Sequence, residues 1–158
     1  MAPDDVVDRF VDKLSVDAIQ INRISSAPWI SAFEKDLTFR LPKSYASLVR
    51  RYRFDPFERG GLRLFGNLGD GSREDLVSAA PSDPFLWKPL AAAGLLQIGR
   101  PDTGSYDPVC LDSRRMKSGS EYPLVQLDHE AALQFERIVV IRRIDQSFLS
   151  FMFNNGAR

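Results

Sequence analysis

His129 is the only histidine in the chain and therefore the first candidate for acid–base catalysis. It follows Asp128 and precedes Glu130, and these polar neighbours indicate an exposed residue at the start of a helix. A catalytic triad also needs a nucleophile, and the Gly-x-Ser-x-Gly motif that presents a reactive serine does not occur. An exposed surface role is therefore preferred, with a hydrolase that uses His129 as an alternative.

A second catalytic candidate is the tripeptide Asp102-Thr103-Gly104. Retroviral-type aspartic proteases use this tripeptide to place one carboxylate of a pair that shares a proton. In those enzymes it follows a buried apolar strand, whereas here Arg100 and Pro101 precede it and Ser105 follows it. These neighbours are typical of a turn. The sequence predicts a turn, with a dimeric aspartic protease that uses Asp102 as a further alternative.

Metal and phosphate sites find little support in the motifs of the chain. One histidine and one cysteine, Cys110, do not make the usual four-ligand zinc shell, and neither His-Glu-x-x-His nor Cys-x-x-Cys occurs. The glycines at positions 66, 69 and 71 have the wrong spacing for a dinucleotide-binding turn. The sequence therefore predicts no catalytic residue, no metal and no cofactor.

A basic stretch is the strongest local charge feature. Residues 40–53 carry five basic side chains and no acidic one, with Tyr45 and Tyr52 among them. Because both tyrosines fall on the apolar stripe of the helix predicted over 41–53, we expect them in the core rather than stacked on bases. The favoured interpretation is a solvated helix face, with Arg50 and Arg51 as an electrostatic rim for a protein partner. Nucleic-acid binding through this helix is a less favoured alternative.

Composition limits the remaining possibilities. The chain has 158 residues, 44% of them hydrophobic, which suits one compact domain with a substantial core. Twenty-one basic residues balance twenty-one acidic ones, which excludes the global charge excess of a histone-like or polyacidic protein. Residues 1–12 are rich in aspartate and lack the apolar region of a secretory signal peptide. No apolar stretch of the sequence is long enough to span a membrane. We therefore expect a cytoplasmic protein.

The elements that must position these residues form an α+β pattern. Apolar residues at helical spacing predict helices after Pro3, after Pro28 and after Pro42. Strands are predicted over 95–99 and 106–111, and the short turn between them favours an antiparallel pair. A last helix is predicted after Asp145 as its cap. The predicted fold is one domain with a central, mostly antiparallel sheet flanked by helices.

Five segments, in this order, resemble a known family. They are Leu41-Pro42-x-x-Tyr45-x-x-Leu48, then the aromatic turn that ends at Gly61, then Gly94-Leu95-Leu96-Gln97-Ile98-Gly99, then Gly104-Ser105-Tyr106-Asp107-Pro108-Val109-Cys110-Leu111-Asp112, and finally Asp145-Gln146-Ser147-Phe148-x-x-Phe151. Together they are similar to the Smi/Knr-like domain of the SUKH superfamily. The resemblance divides the chain into an N-terminal helix and connector over 1–24 and a SUKH domain over 25–158.

The resemblance implies a protein that binds another protein and catalyses nothing. Bacterial members resemble immunity proteins, which neutralise a cognate toxin, often a nuclease, by covering it. The partner-binding residues expected from this comparison and from the charge pattern are Tyr106, Asp107, Asp112, Trp87, Arg50 and Arg51. Nuclease-blocking proteins are often acidic, whereas this chain has a net charge of zero, so a nuclease is only one of the partners that the resemblance allows.

Overall fold

A computed structural model of the protein describes residues 2–78, 84–115, 121–134 and 137–154. Its helices are α1 (Pro3–Val16), α2 (Trp29–Lys35), α3 (Lys43–Arg51), α4 (Pro84–Ala92), α5 (His129–Gln134) and α6 (Phe148–Asn154). Its strands are β1 (Ile21–Arg23), β2 (Tyr52–Phe54), β3 (Phe57–Arg59), β4 (Leu62–Leu64), β5 (Leu95–Pro101), β6 (Val109–Asp112), β7 (Leu124–Leu127) and β8 (Val140–Asp145). The α+β prediction is confirmed. No helix among the described residues combines the length and the apolarity that crossing a lipid bilayer requires.

The sheet is a six-stranded antiparallel meander in which each strand pairs with its neighbours in the chain, from β3 to β8. The antiparallel pair predicted around the 102–105 turn is β5 and β6, with Leu96 opposite Leu111. Strands β1 and β2 form a separate two-stranded sheet. The open edges of the meander are therefore β3 and β8.

Apolar side chains pack on both sides of the meander. The larger core joins α1, α2, α3 and α6 to one side, together with Trp87 and Ala91 of α4, and in it Phe148 meets Phe10 and Tyr45 edge to face. The smaller core, on the other side, joins α4 and α5 to the central strands through Leu90, Cys110 and their neighbours. Strands β5, β6 and β7 are consequently buried on both faces and lack the alternation of a half-exposed strand.

Helix α1 is bound to α3 by polar contacts as well as by its apolar stripe. Asp8 accepts hydrogen bonds from Arg51 at 3.0 Å and from the hydroxyl of Tyr52. Asp4 accepts one from Ser47. The N-terminal segment over 1–24 therefore shares the larger core with the rest of the chain.

The start of α3 is stabilised from a distant part of the chain. Its N-terminal flank, Pro42, has no side-chain group to cap the helix. Instead the buried carboxylate of Glu121 accepts hydrogen bonds from the backbone N–H of Ser44, at 3.1 Å, and from its hydroxyl. A carboxylate at this position satisfies free N–H groups and suits the positive end of the helix.

Several boundaries differ from the sequence prediction. Strand β5 continues to Pro101 rather than ending at position 99, and α3 ends at Arg51, so that Tyr52 and Arg53 lie in β2 and not in the helix predicted over 41–53. The strand expected over 106–111 begins only at Val109, because Asp107 donates its backbone N–H to the Ser105 hydroxyl and Pro108 has no N–H for a ladder. The cap of α6 is Ser147 rather than Asp145, since the Ser147 hydroxyl accepts the N–H of the third helical residue.

Candidate functional site

The loop that joins β5 to β6 meets the start of α5 at one end of the sheet. This contact brings together the side chains of Asp107, Asp128 and His129, which have oxygen and nitrogen atoms within 4.8 Å of one another. All three are half-buried. Polar groups from separate segments are thus held at the surface beside the smaller core.

Asp107 is the centre of this cluster. Its Oδ1 accepts hydrogen bonds from the backbone N–H of His129, at 3.2 Å, and from the ring Nδ1 at 2.8 Å. Its Oδ2 accepts one from the amide of Gln126 at 2.9 Å. Partial burial acts to raise the pKa of Asp107, but the hydrogen bonds from His129 and Gln126 outweigh it and lower this pKa. The carboxylate is therefore held in its charged form.

His129 is oriented by this carboxylate. Because an ionised carboxylate only accepts hydrogen bonds, Nδ1 is the protonated ring nitrogen in the neutral form, and Nε2 is left as an acceptor. Nε2 has no hydrogen-bond partner within the part of the chain that the structure describes. The ring of Tyr106 lies 6.2 Å from the imidazole, centroid to centroid, and Tyr106 is 67% exposed.

The polar contacts continue to the edge of the sheet. Gln126 lies on β7 and is paired with Arg142 on β8, and its Oε1 accepts a hydrogen bond from the Arg142 guanidinium at 2.7 Å. A chain of hydrogen bonds thus runs from His129 through Asp107 and Gln126 to Arg142. Each group in it limits the rotation of the next.

Exposed apolar side chains also occur on α5, which carries His129, and on β8, which carries Arg142. Leu133 is exposed one helical turn after His129 on α5, and Val140 and Ile141 are 43% and 50% exposed at the start of β8. The two elements are adjacent, because the N–H of Asp128 donates to the carbonyl of residue 139 at 2.9 Å. We name the set Tyr106, His129, Leu133, Val140 and Ile141 the Tyr106 surface.

Asp107, Asp128 and His129 are also the only group among the described residues with the donor spacing of a metal site. The two carboxylates already accept hydrogen bonds from backbone N–H groups at the start of α5. Asp128 Oδ1 accepts the N–H groups of Glu130 and Ala131, and Asp107 accepts that of His129. A cation here would compete with these bonds at the positive end of a helix. The arrangement therefore suits capping better than metal binding.

Two of the predicted binding residues are buried. Trp87 is 4% exposed and packs against Phe33, with ring centroids 5.8 Å apart. Asp112 is 1% exposed and accepts three hydrogen bonds from Arg114, two from the guanidinium at 2.9 and 3.1 Å and one from the backbone N–H at 3.0 Å. Both lie where a partner cannot reach them without opening the fold, so the prediction that they contact a partner is corrected.

The predicted arginine rim lies elsewhere. Arg50 forms an ion pair with Glu34 at 2.7 Å, and Arg51 is bound to Asp8 on α1. Both belong to α3, which packs on the larger core, whereas the Tyr106 surface lies beside the smaller one. The structure therefore does not bring Arg50 and Arg51 to Tyr106, and Arg51 joins two helices.

The other reactive candidates are separate from this cluster. Asp102 is exposed in the turn after β5, as its neighbours predicted. Cys110 is buried in the smaller core, and burial raises the pKa of its thiol, which keeps it uncharged.

Sequence reasoning selected Tyr106 and Asp107 but missed their partners. His129 lies 22 positions after Asp107, and no spacing rule joins a loop residue to the start of a later helix. The sequence also did not indicate that the start of β8 is exposed, because Val140 and Ile141 are residue types that usually occur in buried strands.

No protein-family model matches the chain, and no curated protein matches it.

Proposed function

We propose that this chain is a non-enzymatic protein-binding module that acts in the cytoplasm as an immunity protein. It covers the active surface of a cognate toxin and so keeps the toxin's substrate away. The observation that carries the proposal is the Tyr106 surface, where exposed apolar side chains adjoin a rigid polar cluster.

The composition of this surface supports binding to a protein. Tyrosine combines a large apolar ring with a hydroxyl and loses little conformational entropy when a partner covers it. Tyr106 stands beside His129, whose orientation Asp107 holds before any partner arrives. Preorganised groups lower the entropic cost of association. A specific complex of ordinary size buries about 800 Å² on each partner, so residues around the Tyr106 surface would also be covered.

The mechanism needs no reacting group on this chain. A toxin is neutralised when a tight complex blocks its active site for longer than the toxin needs to find its substrate. Tyr106 would act as the anchor, and Leu133, Val140 and Ile141 would exclude water around it. The partner of first choice is a toxin domain encoded next to this chain's gene, whether or not that toxin is a nuclease.

The test is neutralisation of such a toxin domain. Cells that express the domain are expected to grow only when this chain is expressed with it, and the purified proteins are expected to form a complex. Tyr106→Ala should weaken that complex at least about tenfold, as expected for an anchor residue. The matched control is Val16→Ala, because Val16 is an exposed apolar residue at the end of α1.

The proposal fails if neighbouring toxin domains are neither bound nor neutralised. It also fails if the purified chain destroys the toxin or its substrate catalytically. If Tyr106→Ala and Val16→Ala bind equally well, the function stands but the Tyr106 surface is not its site.

A hydrolase is the second candidate, and the Asp107–His129 pair is the observation that favours it. A carboxylate bound to Nδ1 leaves Nε2 free to accept a proton from water, whose oxygen would then attack an ester or phosphodiester. No serine, threonine or cysteine side chain is hydrogen-bonded to His129 in the described ranges, so water would be the nucleophile. The test is hydrolysis of nitrophenyl acetate and bis-nitrophenyl phosphate. Activity that His129→Gln abolishes would favour the hydrolase, and equal rates for both proteins would refute it.

A further inference from the structure

We infer that the open edge of β8 accepts a short, acidic, extended segment of the partner protein as an additional strand. The inference rests on the proposed function, because it states how the partner of the Tyr106 surface is held. It adds main-chain pairing and a charge preference, neither of which that function requires.

The backbone of β8 has groups that point away from the sheet. Leu127 donates its N–H to Pro108, on the β6 side of β7, so its backbone groups do not face β8. Val140, opposite Leu127, therefore belongs to a non-hydrogen-bonded pair and directs its own N–H and carbonyl toward the open edge. By the same alternation, Arg143 opposite Val125 directs its groups outward.

Apolar side chains at the start of β8 are partly exposed. Val140 and Ile141 are consecutive and are 43% and 50% exposed. The described structure therefore covers neither of them completely, and Leu133 on α5 is exposed as well. An added strand would cover apolar side chains as well as pair backbone groups.

The positive charge of the β8 edge favours an acidic partner. Arg142 and Arg143 are exposed, and neither has a carboxylate within ion-pair distance in the described part of the chain. Among the described residues, the Arg142 guanidinium is hydrogen-bonded to the uncharged amide of Gln126. Acidic side chains on an incoming strand would lie opposite these guanidinium groups and be attracted to them.

A second copy of this chain fits less well. Antiparallel pairing of two β8 strands about a two-fold axis at position 143, whose backbone groups point outward, places Arg143 of each copy opposite Arg143 of the other. Like charges directly opposite each other destabilise a strand pair. The edge therefore disfavours self-association and favours an acidic segment.

Two bulges limit the length of the docked segment. Ile141 and Ile144 are extra residues relative to β7, so the pairing shifts on both sides of Arg142 and Arg143. A regular incoming strand can follow β8 only over a few residues before these shifts interrupt it. The segment alone should therefore bind weakly, with the Tyr106 surface supplying the remaining affinity of the whole partner.

The test uses two synthetic peptides that differ only in charge. The acidic peptide is Ac-Thr-Glu-Val-Glu-Val-Glu-Thr-NH₂ with a fluorescent label, and the basic one has lysine for each glutamate. Binding to the full chain is measured by fluorescence anisotropy at low salt. Exchange of the backbone amides of Val140 and Arg143 is followed by NMR.

Two variants examine the pairing and the charge separately. Val140→Pro removes an N–H that the sheet does not use, which edge strands tolerate. Arg143→Glu reverses the charge at the edge. Its matched control is Arg9→Glu, which changes the net charge equally on the exposed side of α1.

The acidic peptide is expected to bind at least about tenfold more tightly than the basic one and to slow exchange at Val140 and Arg143. Val140→Pro and Arg143→Glu should each weaken it at least about tenfold, and Arg9→Glu should leave it unchanged. Equal affinity for the two peptides, or unchanged exchange at both amides, would overturn the inference. So would a wild-type dimer that Val140→Pro dissociates, since a second copy would then occupy the edge.

If Val140→Pro unfolds the protein, the inference is tested by whether Arg143→Glu binds the acidic peptide more weakly than Arg9→Glu does. The toxin domain separates this inference from the proposed function. If both edge variants bind the domain like wild type, the function stands and the edge is not its docking site. If wild type binds the acidic peptide as expected but no toxin domain, the edge remains a docking site and the immunity function fails.

Discussion

Replacing Glu121 tests whether a residue far along the chain stabilises the start of α3. Its carboxylate accepts the N–H and the hydroxyl of Ser44, and Pro42 provides no capping group of its own. Glu121→Ala leaves the buried N–H of Ser44 without an acceptor and removes a negative charge from the positive end of the helix. We expect α3 to remain folded but the whole domain to lose stability.

The size of the loss follows from these two contacts. A hydrogen bond to a charged group contributes about 1.5–3 kcal/mol, and loss of a helix cap costs about 0.5–2 kcal/mol. The two contacts share one carboxylate and do not add, so Glu121→Ala should lower the free energy of unfolding by about 2–3 kcal/mol. For a domain of this length, that lowers Tm by about 4–12 °C. Glu121→Gln keeps an acceptor and should lose only about 1 kcal/mol.

Urea denaturation followed by circular dichroism measures these losses. The matched control is Glu130→Ala, because Glu130 is exposed on α5, and its effect should stay within about 0.5 kcal/mol. A loss for Glu121→Ala no larger than that of the control would refute the capping argument. A loss for Glu121→Gln equal to that of Glu121→Ala would show that the charge, and not the acceptor, matters.

Three further predictions concern single residues. The hydroxyl of Tyr45 is buried without a hydrogen-bond partner in the described structure. Tyr45→Phe should therefore raise the free energy of unfolding, measured by urea titration, by about 1 kcal/mol. A clear decrease in that free energy would contradict this. In Gly66→Ala the new Cβ would lie 2.5 Å from the backbone carbonyl oxygen of Phe54, which cannot move freely. The free energy of unfolding, measured by thermal denaturation, should therefore fall by about 3 kcal/mol or more. A near-neutral effect would show that the loop around Gly66 can move. Hydrogen bonds from Arg51 and Tyr52 lower the pKa of Asp8, so its carboxylate stabilises the fold at neutral pH and this contribution disappears as the pH falls through the lowered pKa. Asp8→Asn should therefore be less stable than wild type at about pH 7, and the difference should shrink as the pH falls below the ordinary pKa of an aspartate, about 3.9; a constant difference across that range would contradict the assignment.

Local patterns predicted most of the architecture. The apolar spacing in α1 and α3 corresponds to side chains that the structure buries, because an amphipathic helix presents one stripe to the core. The β5–β6 pair followed from the short turn between two apolar runs. The cap of α6 was misplaced by two residues, because Asp145 and Ser147 are both good capping residues and only the backbone path distinguishes them.

The candidate site depends on contacts that sequence patterns do not contain. Tyr106 and Asp107 were selected with their loop, but the Asp107–His129 pair forms only because the meander returns β7 alongside β6. Trp87 and Asp112 were named as candidate partner-binding residues and are buried, since a short helix and a central strand have two covered sides here. Burial on both faces of a sheet is a property of the complete fold, which no window of neighbouring residues reveals.

None of the residues of the Tyr106 surface belongs to the larger core. Substitutions at Tyr106, Leu133 or Ile141 therefore alter the exposed surface at little cost to folding, whereas changes at Phe10 or Phe148 affect folding first. Under the proposed function, a lineage that carries this chain would follow an altered toxin by replacing a few surface side chains while its scaffold stays the same. Divergence between closely related copies should accordingly be greatest along the 102–108 loop, the exposed side of α5 and the start of β8.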